Sequence, residues 1–169
     1  MADSGREPLI LRHPNPTDGR ELWQLTADSG VLDLNSAYAY VLWADDFAAT
    51  SVVALRGRRC VGFITGYRRP QHLSTLMVWQ VAVSAAERGS GVATAMLDWL
   101  VAAVAHPSER LTVEATVSPS NTASRAFFTG FARRAGVALH DVPGFDAHLF
   151  PAAHEPEPRV RIGPLPVRP

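Results

Sequence analysis

"VWQVAVSAAERGSGVATAML", residues 78–97, carries the decision about the fold. Its first part is apolar and β-prone, with Val78, Trp79, Val81 and Val83, as expected of a strand covered on both faces. Its last part begins an apolar repeat at helical spacing, Val92, Met96 and Leu97, which Leu100, Val101 and Val104 continue. Between them stands Arg88-Gly89-Ser90-Gly91. Glycine at 89 and 91 lets backbone N–H groups approach a ligand closely and converge on it. The helix that follows adds unpaired N–H donors and partial positive charge at its start. The combination suits a pyrophosphate, and Arg88 adds a charged contact.

Outward from this stretch, strands and helices alternate. "LMVWQVAV" (76–83) is preceded by "TSVVAL" (50–55) and "CVGFITGY" (60–67), two β-rich runs joined through "RGRR" with Gly57 as the turn residue. "LILR" (9–12) reads as a short strand. A helix is predicted through "GRELWQLTADS" (19–29), capped by Thr17 or Asp18. Downstream, "LTVEATV" (111–117) reads as a strand. "SPSNTASRAFFTGFARRAG" reads as a loop and a helix stopped by Gly136. "VALHDV" (137–142) and "DAHLFP" (146–151) are weaker strand candidates, and the proline-rich tail from Pro151 cannot be a long helix. The alternation predicts an α/β layered domain.

Composition narrows the chemistry. The 169 residues, 47% hydrophobic, suit one compact domain with a real core. The formal net charge is zero, so no global basic field points to nucleic acid or an anionic membrane. All 16 cationic residues are arginines. That excludes mechanisms built on lysine, including a Walker-type phosphate loop and Schiff-base chemistry. The one cysteine, Cys60, allows no internal disulfide and is expected to pack as a small hydrophobe. "MADSGREPLILRHP" lacks an apolar signal core, and no apolar run approaches the roughly 18 residues of a membrane span. A cytoplasmic protein is the expectation.

Three readings of the glycine loop compete. It is a plain structural turn, a dinucleotide fingerprint with Thr94 at the third glycine position, or an acyl-CoA loop. "RGSGVA" (88–93) resembles the Arg/Gln-x-x-Gly-x-Gly/Ala motif of GNAT-type N-acetyltransferases. The order of hairpin, central strand, loop, helix, strand and Asn-x-x-Ser helix is similar to that family too. The resemblance implies an acyl-CoA N-acyltransferase fold, a central twisted mixed β-sheet flanked by helices. It implies that acetyl-CoA is the co-substrate, held by Arg88, Gly89, Ser90, Gly91, Val92 and Ala93. Val81 and Val83 would offer backbone to the pantetheine arm, and the Val81 N–H would stabilise the oxyanion. Asn121 and Ser124, in "PSNTAS", would contact the cofactor; a helix N-cap is the alternative for Asn121 and is compatible with that role. Family members often carry a tyrosine seven residues after the asparagine, as proton donor to the thiolate. Here that position is Phe128, which cannot donate a proton.

The N-terminal third is more specific. "PTDGRELWQL" (16–25) and "LDLNSAYAYVLW" (32–43) resemble the L-2,4-diaminobutyrate acetyltransferases of ectoine biosynthesis, and "MVWQVAV", "SPSNTAS" and "HEPEPRVRIG" are similar to the same pattern. The likeness covers about residues 9–163. It implies transfer to the N4 amine of diaminobutyrate by direct attack on the thioester, in osmoadaptation. It places Asp33, Tyr38, Tyr40, Trp79 and Glu157 at the substrate, with Glu155 a less favoured alternative to Glu157. Asp33 or Glu157 would accept the amine's proton. Taken as residues alone, Asp33 could equally cap a helix near Ser36, Tyr40 and Trp79 could be core, and the glutamates could be solvated surface. The rivals are a GNAT-type enzyme for another diamine or amino acid, and a non-catalytic acyl-CoA-binding module.

The resulting expectation is a flexible start over 1–8, a single GNAT-type domain over 9–163 and a flexible end over 164–169, in a homodimer as in similar family members. Nucleic acid and membrane partners are not expected. His140, Asp141, Asp146 and His148 match no compact metal-ligand spacing, so no metal is expected.

Overall fold

Two β-rich runs with a glycine between them form the hairpin that the sequence predicts. Strands β2 (Val52–Arg56) and β3 (Arg59–Arg69) turn at Gly57, whose φ is 57°. The computed structural model describes residues 6–151 and 153–166. These resolve into two compact units. The first holds the described residues up to Tyr67 together with Gln80–Val104, and the second holds Arg68–Trp79 with those from Ala105 on. Strand β4 (His72–Val83) contributes to both, and is divided at Trp79/Gln80.

In the first unit, β1 (Leu9–Arg12) runs antiparallel to β2, and β2 antiparallel to β3. Three helices join them: α1 (Gly19–Ser29), α2 (Ala37–Asp46) and α3 (Val92–Val104). Leu22 of α1 and Tyr40 of α2 pack with Val53, Cys60, Phe63 and Ala82 in one buried cluster. Burying each such leucine or phenylalanine contributes about 1.5–3 kcal/mol. Helix α3 lies on β2 through Met96, Leu97 and Leu100, all fully buried. The expected cap of α1 takes another form. Asp18 stands at the cap position but makes no capping bond; it accepts two 2.8 Å hydrogen bonds from Arg12 and one of 2.7 Å from Asn15 N–H. Burial opposes its charge, yet these donors outweigh burial and hold the carboxyl below its ordinary range.

In the second unit, β4 runs parallel to β5 (Thr112–Thr116), from Thr75 opposite Thr112 to Val78 opposite Ala115. Strand β7 (Glu157–Ile162) lies antiparallel between β5 and β6 (Leu139–Phe145). Helix α4 (Thr122–Ala135) packs near β6 and stops at Gly136 as predicted. The strand expected in "DAHLFP" is not there; Ala147–Leu149 is a short 3-10 turn with Leu149 exposed. The last strand comes from the tail instead. Val160 and Ile162 alternate with Arg159 and Arg161, which buries the aliphatic face and turns the arginines to the other. There Glu114 of β5, 1% exposed, accepts from Arg69 at 2.7 Å and Arg161 at 2.6 Å, with Arg159 at 3.6 Å.

The termini are held more firmly than expected. Leu165, placed in a flexible end by sequence, is buried, and its N–H donates to the Leu111 carbonyl at 2.8 Å. At the other end, the Glu7 carbonyl accepts from Arg56 at 2.6 Å. The remainder of both expected flexible ends, 1–5 and 167–169, lies outside the described residues.

Candidate active site

The donor half of the site is built where β4 ends. Its register with β5 runs over Thr75–Val78, and the strand continues to Val83. Gln80 and Ala82 are buried, while Val81 and Val83 are half-buried. A 3-10 turn at Ala85–Glu87 then leads to the glycines. Gly89 has φ 76° and Gly91 has φ 85°. An added Cβ would meet nothing within 4 Å at either position. Conformation, not space, therefore demands glycine there. Helix α3 begins at Val92, and the Gly91 carbonyl accepts from Ala95 N–H at 2.9 Å. The N–H groups of the first turn, through Ala93 and Thr94, have no helical partner and can face an anion. Arg88 is exposed beside them.

Glu87 braces the loop from beneath. Its main-chain carbonyl accepts from Ser90 N–H at 3.2 Å and from Ser90 Oγ at 2.6 Å. Its carboxylate lies 3.4 Å from Arg56 and 3.7 Å from Arg6. Burial opposes its charge, but Ser90 and the two guanidinium groups more than offset that, and Glu87 is held below the usual carboxylate range. The expectation for Ser90 is thereby modified. Its hydroxyl and its N–H are both engaged within the loop, so it shapes the turn and is not an open donor.

The acceptor segment belongs to the same unit. Residues 30–36 link α1 to α2, and Ser36 caps α2 by accepting from Ala39 N–H. Asp33 is therefore released from the capping role, and it is exposed. Its main-chain carbonyl accepts from Gln80 Nε2 at 2.9 Å, which sets the segment beside the residue that precedes Val81. Tyr38 is 72% exposed on the first turn of α2 and is open to a ligand. Tyr40 is a correction. It is 1% exposed, packs edge-on to Phe63, and its hydroxyl accepts from Asn35 N–H at 3.4 Å. It anchors the segment from the core and offers no face to a substrate.

In the second unit, Asn121 caps α4, its Oδ1 accepting from Ser124 N–H at 3.0 Å. Its Nδ2 donors are not used in that cap. Phe128 is 3% exposed and packs edge-on to Phe127, so no hydroxyl stands at the family's tyrosine position. Trp79 and Glu157 are half-buried, on β4 and β7. Glu155 is turned to the loop before α4 and accepts from Ser120 Oγ at 2.6 Å. Sequence reasoning passed over Gln80, Glu87 and Glu114. All three are buried; Gln80 and Glu114 are polar residues inside β-prone runs, and that contrast was the available signal, while Glu87 sits in the turn before the glycines without one.

The chain matches the Acetyltransferase (GNAT) family over residues 19–131. It is 50% identical to the L-2,4-diaminobutyric acid acetyltransferase of Streptomyces coelicolor, covering 93% of this chain and 94% of that protein. It is 42% identical to the enzyme of the same name from Oceanobacillus iheyensis, covering 94% and 90%. The chain belongs to the L-2,4-diaminobutyric acid acetyltransferases of the GNAT family.

Among solved structures, this acetyltransferase is similar to diaminobutyrate acetyltransferase EctA from Paenibacillus lautus, in complex with its substrate L-2,4-diaminobutyric acid and coenzyme A. The TM-score is 0.85 and identity 40%, over 94% of this chain and 96% of that one. Ard1 from Thermoplasma volcanium, at TM-score 0.71 and 16% identity, shares the fold alone. The dinucleotide reading of the loop is thereby set aside. Cys60 of the acetyltransferase is buried; desolvation pushes its thiol up to about 12, so it is no nucleophile at neutral pH. Among the described residues no three His, Cys, Asp or Glu side chains group as a metal site, and Asp141 instead pairs with Arg125. No helix among them is long and apolar enough to cross a membrane.

Proposed function

We propose that this chain transfers the acetyl group of acetyl-CoA to the N4 amine of L-2,4-diaminobutyrate, giving N4-acetyl-diaminobutyrate in ectoine biosynthesis. The observation that carries the reading is the full-length likeness to the Paenibacillus lautus enzyme, whose structure holds diaminobutyric acid and coenzyme A. The residues of this chain fit both substrates. Gly89 and Gly91 shape a loop whose N–H groups, with those of Val92 and Ala93, suit the pyrophosphate, and Arg88 adds charge. Val81 and Val83 offer backbone to the pantetheine arm, and Asn121 keeps its amide donors for the same substrate while Ser124 closes the cap.

On the acceptor side, the substrate carries two ammonium groups and a carboxylate. Asp33 and Glu157 supply two anionic contacts, with Tyr38 and Trp79 as flanking rings. An amine of lysine type has a pKa of about 10.4 and arrives protonated. Asp33 or Glu157 accepts that proton, directly or through water. The free amine then attacks the thioester carbon, and the Val81 N–H stabilises the oxygen as it becomes negative. The C–S bond breaks, and water passes the second proton of the attacking nitrogen to the departing thiolate, because Phe128 has none to give.

One GNAT-type domain over 9–163, a homodimer and a cytoplasmic location complete the proposal. The exposed Val31, Leu34 and Val41 support a partner surface, and the buried unpaired Cys60 is in keeping with a reducing compartment. The deciding measurement is CoA release with diaminobutyrate, ornithine, lysine and putrescine, with NMR assignment of the acetylated nitrogen. Preference for putrescine, which lacks a carboxylate, or acetylation at N2, would overturn the reading. Light scattering after size exclusion tests the dimer.

A further inference from the structure

Gln80 stands out within "LMVWQVAV" (76–83), the apolar end of β4, as its one amide side chain. It is 5% exposed. Burying a primary amide costs a few kcal/mol unless it is hydrogen-bonded, so a strand holds such a residue for what it bonds. Its Nε2 donates to the Asp33 carbonyl at 2.9 Å, across 47 residues of sequence. Its Oε1 is buried and has no hydrogen-bond partner among the described residues. The bond to Asp33 is thus what orients the amide. The backbone of Gln80 is held as well, its N–H donating at 3.2 Å to Oγ1 of the fully buried Thr65.

The segment that Gln80 grips is irregular. Residues 30–36 lie between two helices, and the Asp33 side chain is exposed. Other hydrogen bonds made by residues 31–35 are longer: Val31 and Leu32 N–H to Ser29 Oγ at 3.4 and 3.2 Å, Asn35 Nδ2 to the Asp33 carbonyl at 3.3 Å, and Asn35 N–H to the Tyr40 hydroxyl at 3.4 Å. The tie to β4 is the shortest of these, and it ends one residue before Val81. We propose that Gln80 is a positioning residue for acceptor recognition. Its amide fixes where the Asp33 carboxylate stands relative to the end of β4. This rests on the reading of Asp33 as a substrate contact.

The test is a double-mutant cycle with Asp33→Ala, using Gln80→Met and Gln80→Leu. Both replacements fill the buried position with an apolar side chain of similar bulk, and neither can donate to the carbonyl. In the otherwise unchanged enzyme, each is expected to raise KM for diaminobutyrate about tenfold, with KM for acetyl-CoA held within about twofold. In the Asp33→Ala enzyme the same replacements should change kcat/KM for diaminobutyrate by less than about twofold. Equal losses in both backgrounds, or KM rising together for both substrates, would overturn the proposal while Asp33→Ala still shows its own loss. If Asp33→Ala leaves kcat/KM unchanged, the reading of Asp33 falls and the proposal falls with it. Should Gln80→Met not fold, Gln80→Leu carries the cycle.

Discussion

The glycine loop and the 30–36 segment, proposed to meet the two substrates, are held by different means. The loop is shaped by its own backbone: two residues at φ 76° and 85°, a bond three residues long from Ser90 to Glu87, and a helix start. The segment has little regular structure of its own. It depends on a buried tyrosine beneath it and an amide donated from 47 residues away. The lesson is that a donor shared by many enzymes can be gripped by a local motif. An acceptor particular to one enzyme is gripped by contacts that only the completed fold supplies.

Substitutions at four positions would sharpen or break that contrast. Asp33→Asn should lower kcat/KM for diaminobutyrate about a hundredfold, roughly 2.7 kcal/mol, with acetyl-CoA binding intact. Its pH–rate profile separates two roles. If Asp33 is the base, the limb that rises with pH is lost or displaced; if it only binds, that limb persists and KM alone grows. Gly91→Ala strikes the other side. A left-handed alanine costs about 1–2 kcal/mol, so KM for acetyl-CoA should rise roughly tenfold, measured at saturating diaminobutyrate. An unchanged KM would show that the loop tolerates an ordinary residue and that the local account is wrong.

Asn121→Asp is expected to be milder. Aspartate caps a helix about as well as asparagine, so the unfolding midpoint should stay put. It has no amide to donate, so KM for acetyl-CoA should rise a few-fold, roughly 1 kcal/mol. Asn121→Ala should lose both, with about 1 kcal/mol of stability removed. If Asn121→Asp matches the native enzyme in kinetics, the residue is a cap and nothing more. The smallest effect belongs to Cys60→Ala, which should leave turnover near normal at neutral pH. Its signature is alkaline. The folded thiol is pushed up to about 12 by burial, so the folded state holds its proton after the unfolded chain has released it. That contribution is full below an unfolded pKa of about 8.5 and is lost as pH rises toward the folded value. Urea midpoints should therefore fall with alkalinity more steeply in the native chain than in the variant.

The same division decided what could be read from sequence. The hairpin at Gly57, the helix from Val92 and the stop at Gly136 were legible because each is signalled within a few neighbouring residues. The tail strand was not. Val160 and Ile162 become a strand only because β5 and β6 flank them, and proline at 156 and 158 obscured the alternation. Asp33 and Tyr38, which the family resemblance places at the substrate, are exposed. Tyr40 carries the same side chain but a different neighbourhood. Its position on α2 faces the core, and residue type could not reveal that. Gln80 was visible as an oddity, but its partner was not.

The division of β4 bears on how the chain is made. The first unit takes its parts from two stretches, with Arg68–Trp79 given to the second. During synthesis at about 5–20 residues per second, the strand end, the glycine loop and α3 emerge several seconds after the hairpin. An N-terminal fragment ending at Tyr67 would lack Ala82 from the cluster around Phe63, and would leave the Asp33 carbonyl without the Gln80 amide. The acceptor segment is therefore translated early and ordered late. Its shape waits on the strand that carries Gln80, so the 30–36 segment is completed no sooner than the end of β4.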